Sequence, residues 1–362
     1  MSVPRTALIV AGGRGTRLMP LTTEVPKPML PFCGAPFLAG LARRLAGEGV
    51  RRVGLVVGAD AEPFLPLGAY LDAHGIELFL VPEPTPLDTA GGVRAATLDL
   101  DEPVLVLNGD VLSDLDVAAL VTRHERSGAA ATISLTRVSD TSTFGVCVLE
   151  GDRITAFVEK PAPGSLPGHD TVNAGAYVLA AGVLAGFPEG PLSFERDVFP
   201  TLLASGAVLA GAVHEGVWTD LGTPERFLAG QRLVLDGALL WPPLSDLALH
   251  DAIPGIHVGR GVVIATGARL DAPLVLGDGV RVGAGAAVGP YVVAAEGASI
   301  GAGADVAHAL LSARTRIGEE SVVIDSLLAE GVVVADGAEI LEATVGPAHV
   351  AGTEGTPGRD ST

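Results

Sequence analysis

Aromatic side chains are scarce in this chain: Phe, Trp and Tyr make up 4% of 362 residues, against 48 glycines. So few rings favour aliphatic packing and close backbone approach over bulky side chains. Positive charge is scarce too, with 23 Lys and Arg against 42 Asp and Glu and a formal net charge of −19. That balance excludes a nucleic-acid-binding surface, which needs a basic footprint. It still permits a few local cations to hold a small phosphorylated ligand, and the acidity itself reads as solubility. The two cysteines, Cys33 and Cys147, lack metal-ligand spacing. They fit a reducing, cytoplasmic setting rather than a disulfide scaffold. Long apolar runs are also missing. The stretch 7–11 is too short for a signal peptide and is broken by glycines. The stretch 174–187 falls short of the roughly 18 residues a spanning helix needs. No membrane association is expected.

What is present supports two domains, since the chain is long and 48% hydrophobic. In the first part, strand and helix patterns alternate. Apolar runs at 8–11, 53–57, 104–107 and 130–136 read as buried strands. Helical spacing at 37–47 puts Phe37, Leu38, Leu41 and Leu45 on one stripe. A second helix is expected at 116–126, starting with an acidic cap. The alternation predicts an α/β, Rossmann-like, mostly parallel sheet over residues 1–235, with ligands at the carboxyl ends of its strands. Residues 236–255, with Pro242-Pro243, read as a linker. From 256 an aliphatic residue precedes glycine about every six residues, as in Ile256-His257-Val258-Gly259-Arg260-Gly261 and Leu274-Val275-Leu276-Gly277-Asp278-Gly279. This hexapeptide rhythm predicts a parallel β-helix over 256–348. Its corners need small residues, which accounts for the shortage of rings. Residues 349–362, polar and carrying Gly and Pro, are expected to be disordered.

The most informative stretch is Ala7-Leu8-Ile9-Val10-Ala11-Gly12-Gly13-Arg14-Gly15-Thr16-Arg17-Leu18-Met19-Pro20-Leu21-Thr22. A buried strand opens onto a glycine-rich loop with two arginines, and Lys27 follows. Such a loop can be a mere turn. A turn needs no concentration of cations, whereas backbone N–H groups with nearby cations suit phosphate. It is neither a P-loop, since no Lys-Ser or Lys-Thr closes it, nor a dinucleotide fingerprint, since the third glycine is missing.

This stretch, with Pro26-Lys27-Pro28-Met29-Leu30-Pro31, resembles the paired signature of the sugar-nucleotidyltransferases, or sugar-1-phosphate pyrophosphorylases. The resemblance covers roughly residues 5–235. The hexapeptide region is similar to left-handed β-helix domains, and the left hand of its coil is what that resemblance implies. Some acyltransferases share the coil. His308 is the best candidate for a catalytic histidine of that kind, but without a long protruding loop it reads as structural.

The family resemblance implies a reaction in which a sugar 1-phosphate oxygen attacks the α-phosphorus of an NTP and pyrophosphate leaves. Arg17 is then expected on the triphosphate and Lys27 near the α-phosphate, with Ala11, Gly12, Gly13, Gly15 and Thr16 presenting backbone to the nucleotide. Asn108-Gly109-Asp110 places Asn108 at the nucleotide and Asp110 on Mg²⁺. Trp218-Thr219-Asp220-Leu221-Gly222-Thr223-Pro224 supplies Asp220 as the second Mg²⁺ carboxylate. Either aspartate could instead cap a following helix. Val158-Glu159-Lys160-Pro161 gives Glu159 to sugar hydroxyls and Lys160 to the sugar phosphate. Gly145 and Asn173 are expected at the sugar. Leu87-Asp88-Thr89-Ala90-Gly91 resembles the stretch found in mannose-1-phosphate guanylyltransferases, with Asp88 where glycine is usual; it puts Thr89, Ala90 and Gly91 at the nucleotide. Glu83 could accept from the N1–H and N2–H of guanine, or be an exposed loop acid between prolines. GTP with mannose 1-phosphate is the favoured pair. Adenylyl, thymidylyl or uridylyl transfer, a heptose or cyclitol phosphate, and a non-catalytic NDP-sugar-binding homologue stay open. The solenoid is expected to support homo-oligomer assembly.

Overall fold

The computed structural model describes residues 3–13, 15–347 and the backbone of 350–351. Arg14 and the C-terminal stretch expected to be disordered lie outside the described residues. The chain forms two compact bodies. One comprises residues 3–13 and 41–219, the other 15–40 with 220 onwards, whereas composition alone suggested a contiguous division at 235.

The first body is built on a nine-stranded sheet. Its order is Glu77–Pro82, Arg52–Val57, Thr6–Val10, Val104–Asn108, Thr171–Leu179, Ala131–Arg137, Leu209–Val213, Arg153–Glu159 and Gly145–Glu150. The first four strands are parallel. The strand Thr171–Leu179 then runs antiparallel to both neighbours, and Gly145–Glu150 with Arg153–Glu159 forms an antiparallel hairpin. The expectation of a mostly parallel sheet therefore holds for the half bearing the glycine loop, and the other half is mixed. Its hairpin is joined by Gly151-Asp152 alone, too short for the crossover that parallel strands need.

The helices follow their sequence signals. Phe37–Gly47 forms as expected. Val117–Ser127 starts at Asp116, whose carboxylate accepts from Ala119 N at 2.8 Å, and ends at Gly128 with φ 56°. Leu8, Val106, Ile133 and Tyr177 are completely buried in the core. Among the described residues no helix is long and apolar enough to cross a membrane.

The second body contains a solenoid of short strands in three parallel sheets. Register partners lie 18 residues apart at first, as in Ile256 with Leu274, and 17 apart later, as in Leu310 with Leu327. That is three hexapeptides per coil, and the architecture is the three-sided β-helix expected. The strand Ala248–Leu249 pairs antiparallel with the first rung.

The few rings are concentrated. In the first body Tyr177 packs on Phe194 and Phe199 at centroid distances of 5.1 and 5.2 Å. In the second, Phe32 meets Phe37, Phe227 and Trp241 at 5.3, 5.4 and 5.2 Å. This cluster ties the segment 15–40 to the helix Pro224–Leu235 and to Trp241, which is buried within the stretch read as a linker. Edge-to-face pairs of this kind add about 0.5–1.5 kcal/mol each beyond buried area.

Candidate active site

In the first body the strand Thr6–Val10 ends beside Val104–Asn108, with Val10 opposite Asn108. The glycine loop and the Asn108-Gly109-Asp110 turn therefore leave the sheet side by side, at carboxyl ends as expected. Gly109 N donates to Val10 O at 2.8 Å. A β-carbon on Gly109 would stand 2.8 Å from that oxygen, so the two turns meet only because glycine sits there. The cap of the following helix is Asp116, which leaves Asp110 free of that duty.

Glu83 follows the strand Glu77–Pro82. It is 7% exposed, so the alternative of a solvated loop acid is excluded. Its Oε2 accepts a long hydrogen bond from Leu87 N at 3.5 Å, and a β-carbon on Gly12 would lie 3.6 Å from it. Oε1 is buried without a hydrogen-bond partner. Burial pushes the Glu83 carboxyl above the usual range, the Leu87 and Gly92 N–H groups oppose this, and Asp88 adds to it.

The neighbouring Thr89, Ala90 and Gly91 begin the helix Asp88–Thr97. They are engaged within the protein. Thr89 Oγ1 donates to Glu195 Oε2 at 2.8 Å and accepts from Phe194 N at 2.9 Å. Ala90 is fully buried and its N–H bonds Leu192 O at 2.8 Å. A β-carbon on Gly91 would stand 2.7 Å from Gly190 O. Their side chains fasten the helix start to the 190–195 segment. Asp88 has φ 63°, which accounts for glycine being usual in the similar motif. Its carboxylate compensates by accepting from Thr89 N at 2.8 Å and pairing with Arg196.

At the far end of the sheet, Gly145 is the register partner of Glu159. A β-carbon on Gly145 would lie 2.9 Å from Glu159 Oε2. Lys160 has φ 45° and its Nζ lies 3.4 Å from Glu159 Oε1. A bulky residue in this backbone region signals a position held by its surroundings. Asn173 shapes the backbone. Its Nδ2 donates to Tyr177 OH at 2.8 Å and its Oδ1 accepts from Gly175 N at 2.9 Å, across an irregularity in the strand. Gly175 has φ 76° and faces Asn108, whose Nδ2 would stand 2.7 Å from a β-carbon there.

The second body holds the remaining candidates. Gly15 has φ 60°, and a β-carbon on it would be 3.0 Å from Lys27 Cβ. Thr22 Oγ1 donates to Gly15 O at 3.0 Å, folding the loop with its Thr16–Leu18 turn back on itself. Lys27 is 7% exposed, not a solvated loop lysine. The turn Lys27–Met29 fixes it, with prolines on both sides. Arg17 Nη2 lies 3.9 Å from Asp220 Oδ1, and that oxygen also accepts from Gly222 N at 2.9 Å. Asp220 Oδ2 pairs with Arg226. The helix Pro224–Leu235 is capped by Thr223, so Asp220, 15% exposed as a side chain, is not its cap. Arg226 was not legible in the sequence, because no phosphate or metal motif includes it. A β-carbon on Gly222 would fall 2.5 Å from Arg17 Nη2 and 2.4 Å from Asp220 Oδ1.

Among the described residues no group of three or more His, Cys, Asp or Glu side chains is poised to hold a metal. Asp110 and Asp220 are hard oxygen donors of the type Mg²⁺ takes. The set fits in chemistry, on condition that Asp220 Oδ2 exchanges Arg226 for the ion.

The sequence profile described as nucleotidyl transferase matches residues 6–237. The chain belongs to that family. Among relatives within it, the mannose-1-phosphate guanylyltransferase of Mycobacterium tuberculosis is 39% identical over 289 residues, covering 74% of this chain and 79% of that one. The mannose-1-phosphate guanylyltransferase catalytic subunit beta of Danio rerio is 38% identical over 235 residues, covering 63% and 64%. Among solved structures, HddC from Yersinia pseudotuberculosis superposes with a TM-score of 0.55 at 26% identity, covering 64% of this chain and 100% of that one. The same protein complexed with GMP-PN gives 0.54 at 26% identity, with the same coverage.

Proposed function

We propose that this nucleotidyltransferase moves a guanylyl group from GTP to mannose 1-phosphate, giving GDP-mannose and pyrophosphate. The observation that carries the choice of base is Glu83: a buried carboxylate beside Gly12 with one oxygen lacking a partner. Guanine presents two adjacent donors, N1–H and N2–H, that an ionised carboxylate accepts together; adenine offers no such pair. The named relatives point the same way.

In this reading a phosphate oxygen of mannose 1-phosphate attacks the α-phosphorus of GTP in line. The new P–O bond forms as the bond to the β-phosphate bridging oxygen breaks, and pyrophosphate carries that electron pair away. No strong base is required, since the attacking oxygen is already anionic. The chain's task is to align two anions and screen their repulsion. Gly12, Gly13 and Gly15 let backbone approach the phosphates. Arg17 neutralises charge on the leaving pyrophosphate, Lys27 engages the α-phosphate and Lys160 the sugar phosphate. Glu159 accepts from sugar hydroxyls, while Asn173 acts by shaping the strand. Asp110 and Asp220 would hold Mg²⁺, which supplies charge neutralisation on the phosphate oxygens. The reading puts the protein in the cytoplasm, with its nucleotide supply, as a homo-oligomer.

Pyrophosphate release from purified protein across a grid of NTPs and sugar 1-phosphates, with Mg²⁺, tests this. Release requiring GTP and mannose 1-phosphate, and lost in Asp110→Asn, is the expected result. Release with another pair overturns the substrate assignment, and silence across the grid overturns the enzymatic one.

A further inference from the structure

Asp220 is not held by its own loop alone. Its Oδ2 meets Arg226, in the first turn of the helix Pro224–Leu235. The other end of that helix is fastened to the solenoid. Arg232 Nη2 donates to Asp325 Oδ1 at 2.8 Å, and His308 Nδ1 lies 3.2 Å from the same oxygen. The Arg232 guanidinium stands over the Tyr291 ring, 5.7 Å from its centroid. Tyr291 OH donates at 2.9 Å to Asp236, the residue that ends the helix. The Tyr291 and His308 rings are 5.6 Å apart.

The solenoid backbone is strained at these contacts. Tyr291, His308 and Asp325 have φ values of 58°, 51° and 48°. They stack on successive coils at one corner: His308 N bonds Pro290 O at 2.8 Å, and Asp325 N bonds Ala307 O at 3.3 Å. Other left-handed corners of the same solenoid use glycine, as at Gly261, Gly279, Gly297 and Gly331. A β-carbon is disfavoured in this conformation, and residues that keep it are held there by their surroundings. Here the surroundings are the side-chain bonds to one helix.

We propose that this corner column is a clamp by which the solenoid positions Arg226, and through it Asp220. Arg232 and Asp325 are then positioning residues for the phosphate-handling carboxylate, and the solenoid serves the reaction as well as assembly. The proposal rests on the role given to Asp220 above.

Asp325→Gly removes the acceptor and suits the left-handed backbone, so the coil keeps its shape; Asp325→Asn retains an acceptor oxygen. Hydrogen exchange followed by mass spectrometry on the full chain reads the clamp without turnover. The helical peptide around Arg226 is expected to exchange at least tenfold faster in Asp325→Gly and at the unsubstituted rate in Asp325→Asn. In the pyrophosphate assay Asp325→Gly is expected to lose at least tenfold in kcat, with the KM for GTP within twofold because Glu83 lies in the other body. Arg232→Met, measured in the same two ways, should repeat the result and replaces Asp325→Gly if that variant does not fold. Unchanged exchange overturns the clamp. Faster exchange with unchanged kcat overturns its link to Asp220. Silence of the unsubstituted protein with every substrate pair counts against the functional reading, while the exchange result still decides the clamp.

Discussion

Gly145 and Glu159 are partners across an antiparallel hairpin, and a β-carbon on Gly145 would stand 2.9 Å from Glu159 Oε2 and 2.5 Å from Phe157 Cζ. The carboxylate lies where a side chain would otherwise be. Gly145→Ala should displace Glu159 and raise the KM for the sugar phosphate by about tenfold, about 1.4 kcal/mol of binding. The KM for the nucleotide should stay within twofold. Steady-state kinetics with each substrate varied in turn check this; an equal rise in both constants would contradict it.

Glu83 gives a pH dependence with a definite sign. Its folded-state pKa is raised by burial, so the carboxyl takes up a proton at a higher pH than an exposed glutamate does. Guanine donors need the ionised form. Affinity for GTP should therefore fall as pH drops through that raised value, and Glu83→Gln should bind GTP weakly at every pH tested. The linkage to stability runs the other way. A raised acid pKa contributes stability that is full below the unfolded value and lost as pH rises through the folded value. Glu83→Gln should thus match the unsubstituted Tm in acid and equal or exceed it above neutral pH. Calorimetry and nucleotide titration between pH 5 and pH 8, a window set by typical carboxyl shifts of this kind, give both readings.

Asp88 is a left-handed residue held by its own side chain. Asp88→Ala loses the Arg196 pair and the bond to Thr89 N while keeping a β-carbon at φ 63°. It should cost about 1–2 kcal/mol. Asp88→Gly relieves the conformation and should cost less than about 0.5 kcal/mol, since the Arg196 pair is partly solvated. Chemical denaturation of the two variants side by side decides; equal losses would mean that backbone strain contributes nothing here.

Gly40 lies against Trp241, whose Cζ2 would be 1.9 Å from an added β-carbon. Gly40→Ala must push the indole out of the ring cluster around Phe32. A loss of about 1–3 kcal/mol is expected from overpacking, with a red shift in tryptophan fluorescence as Trp241 gains water. An unshifted spectrum would show that the helix moved instead.

How much of this was legible depended on whether the signal was local. The stripe of Phe37, Leu38, Leu41 and Leu45 marked its helix, Asp116 marked a cap, and the hexapeptide rhythm marked the coils, because each is written in neighbouring residues. The direction of Thr171–Leu179 was not, since antiparallel pairing is decided by strands distant in sequence. Burial was also hidden. Lys27 and Glu83 are charged and flanked by prolines, a pattern that reads as surface loop, yet turns and packing enclose both. The resemblance identified Asp220 and Arg17 as phosphate-handling groups, but not Arg226, whose part comes from a helix folding back on the carboxylate.

The coil register has a consequence for how such a chain can change length. Partners recur every 17 or 18 residues, three faces to a circuit. Duplication or loss of one complete circuit returns every later residue to its own face and alters the prism only by one strand spacing, about 4.8 Å. Insertion of a single hexapeptide keeps the aliphatic rhythm intact but turns everything downstream by one face, carrying the Tyr291, His308 and Asp325 corner away from the helix. Insertions that a composition or hydropathy comparison would score as equivalent are therefore unequal, and the tolerated unit of growth in this half of the gene is the whole circuit.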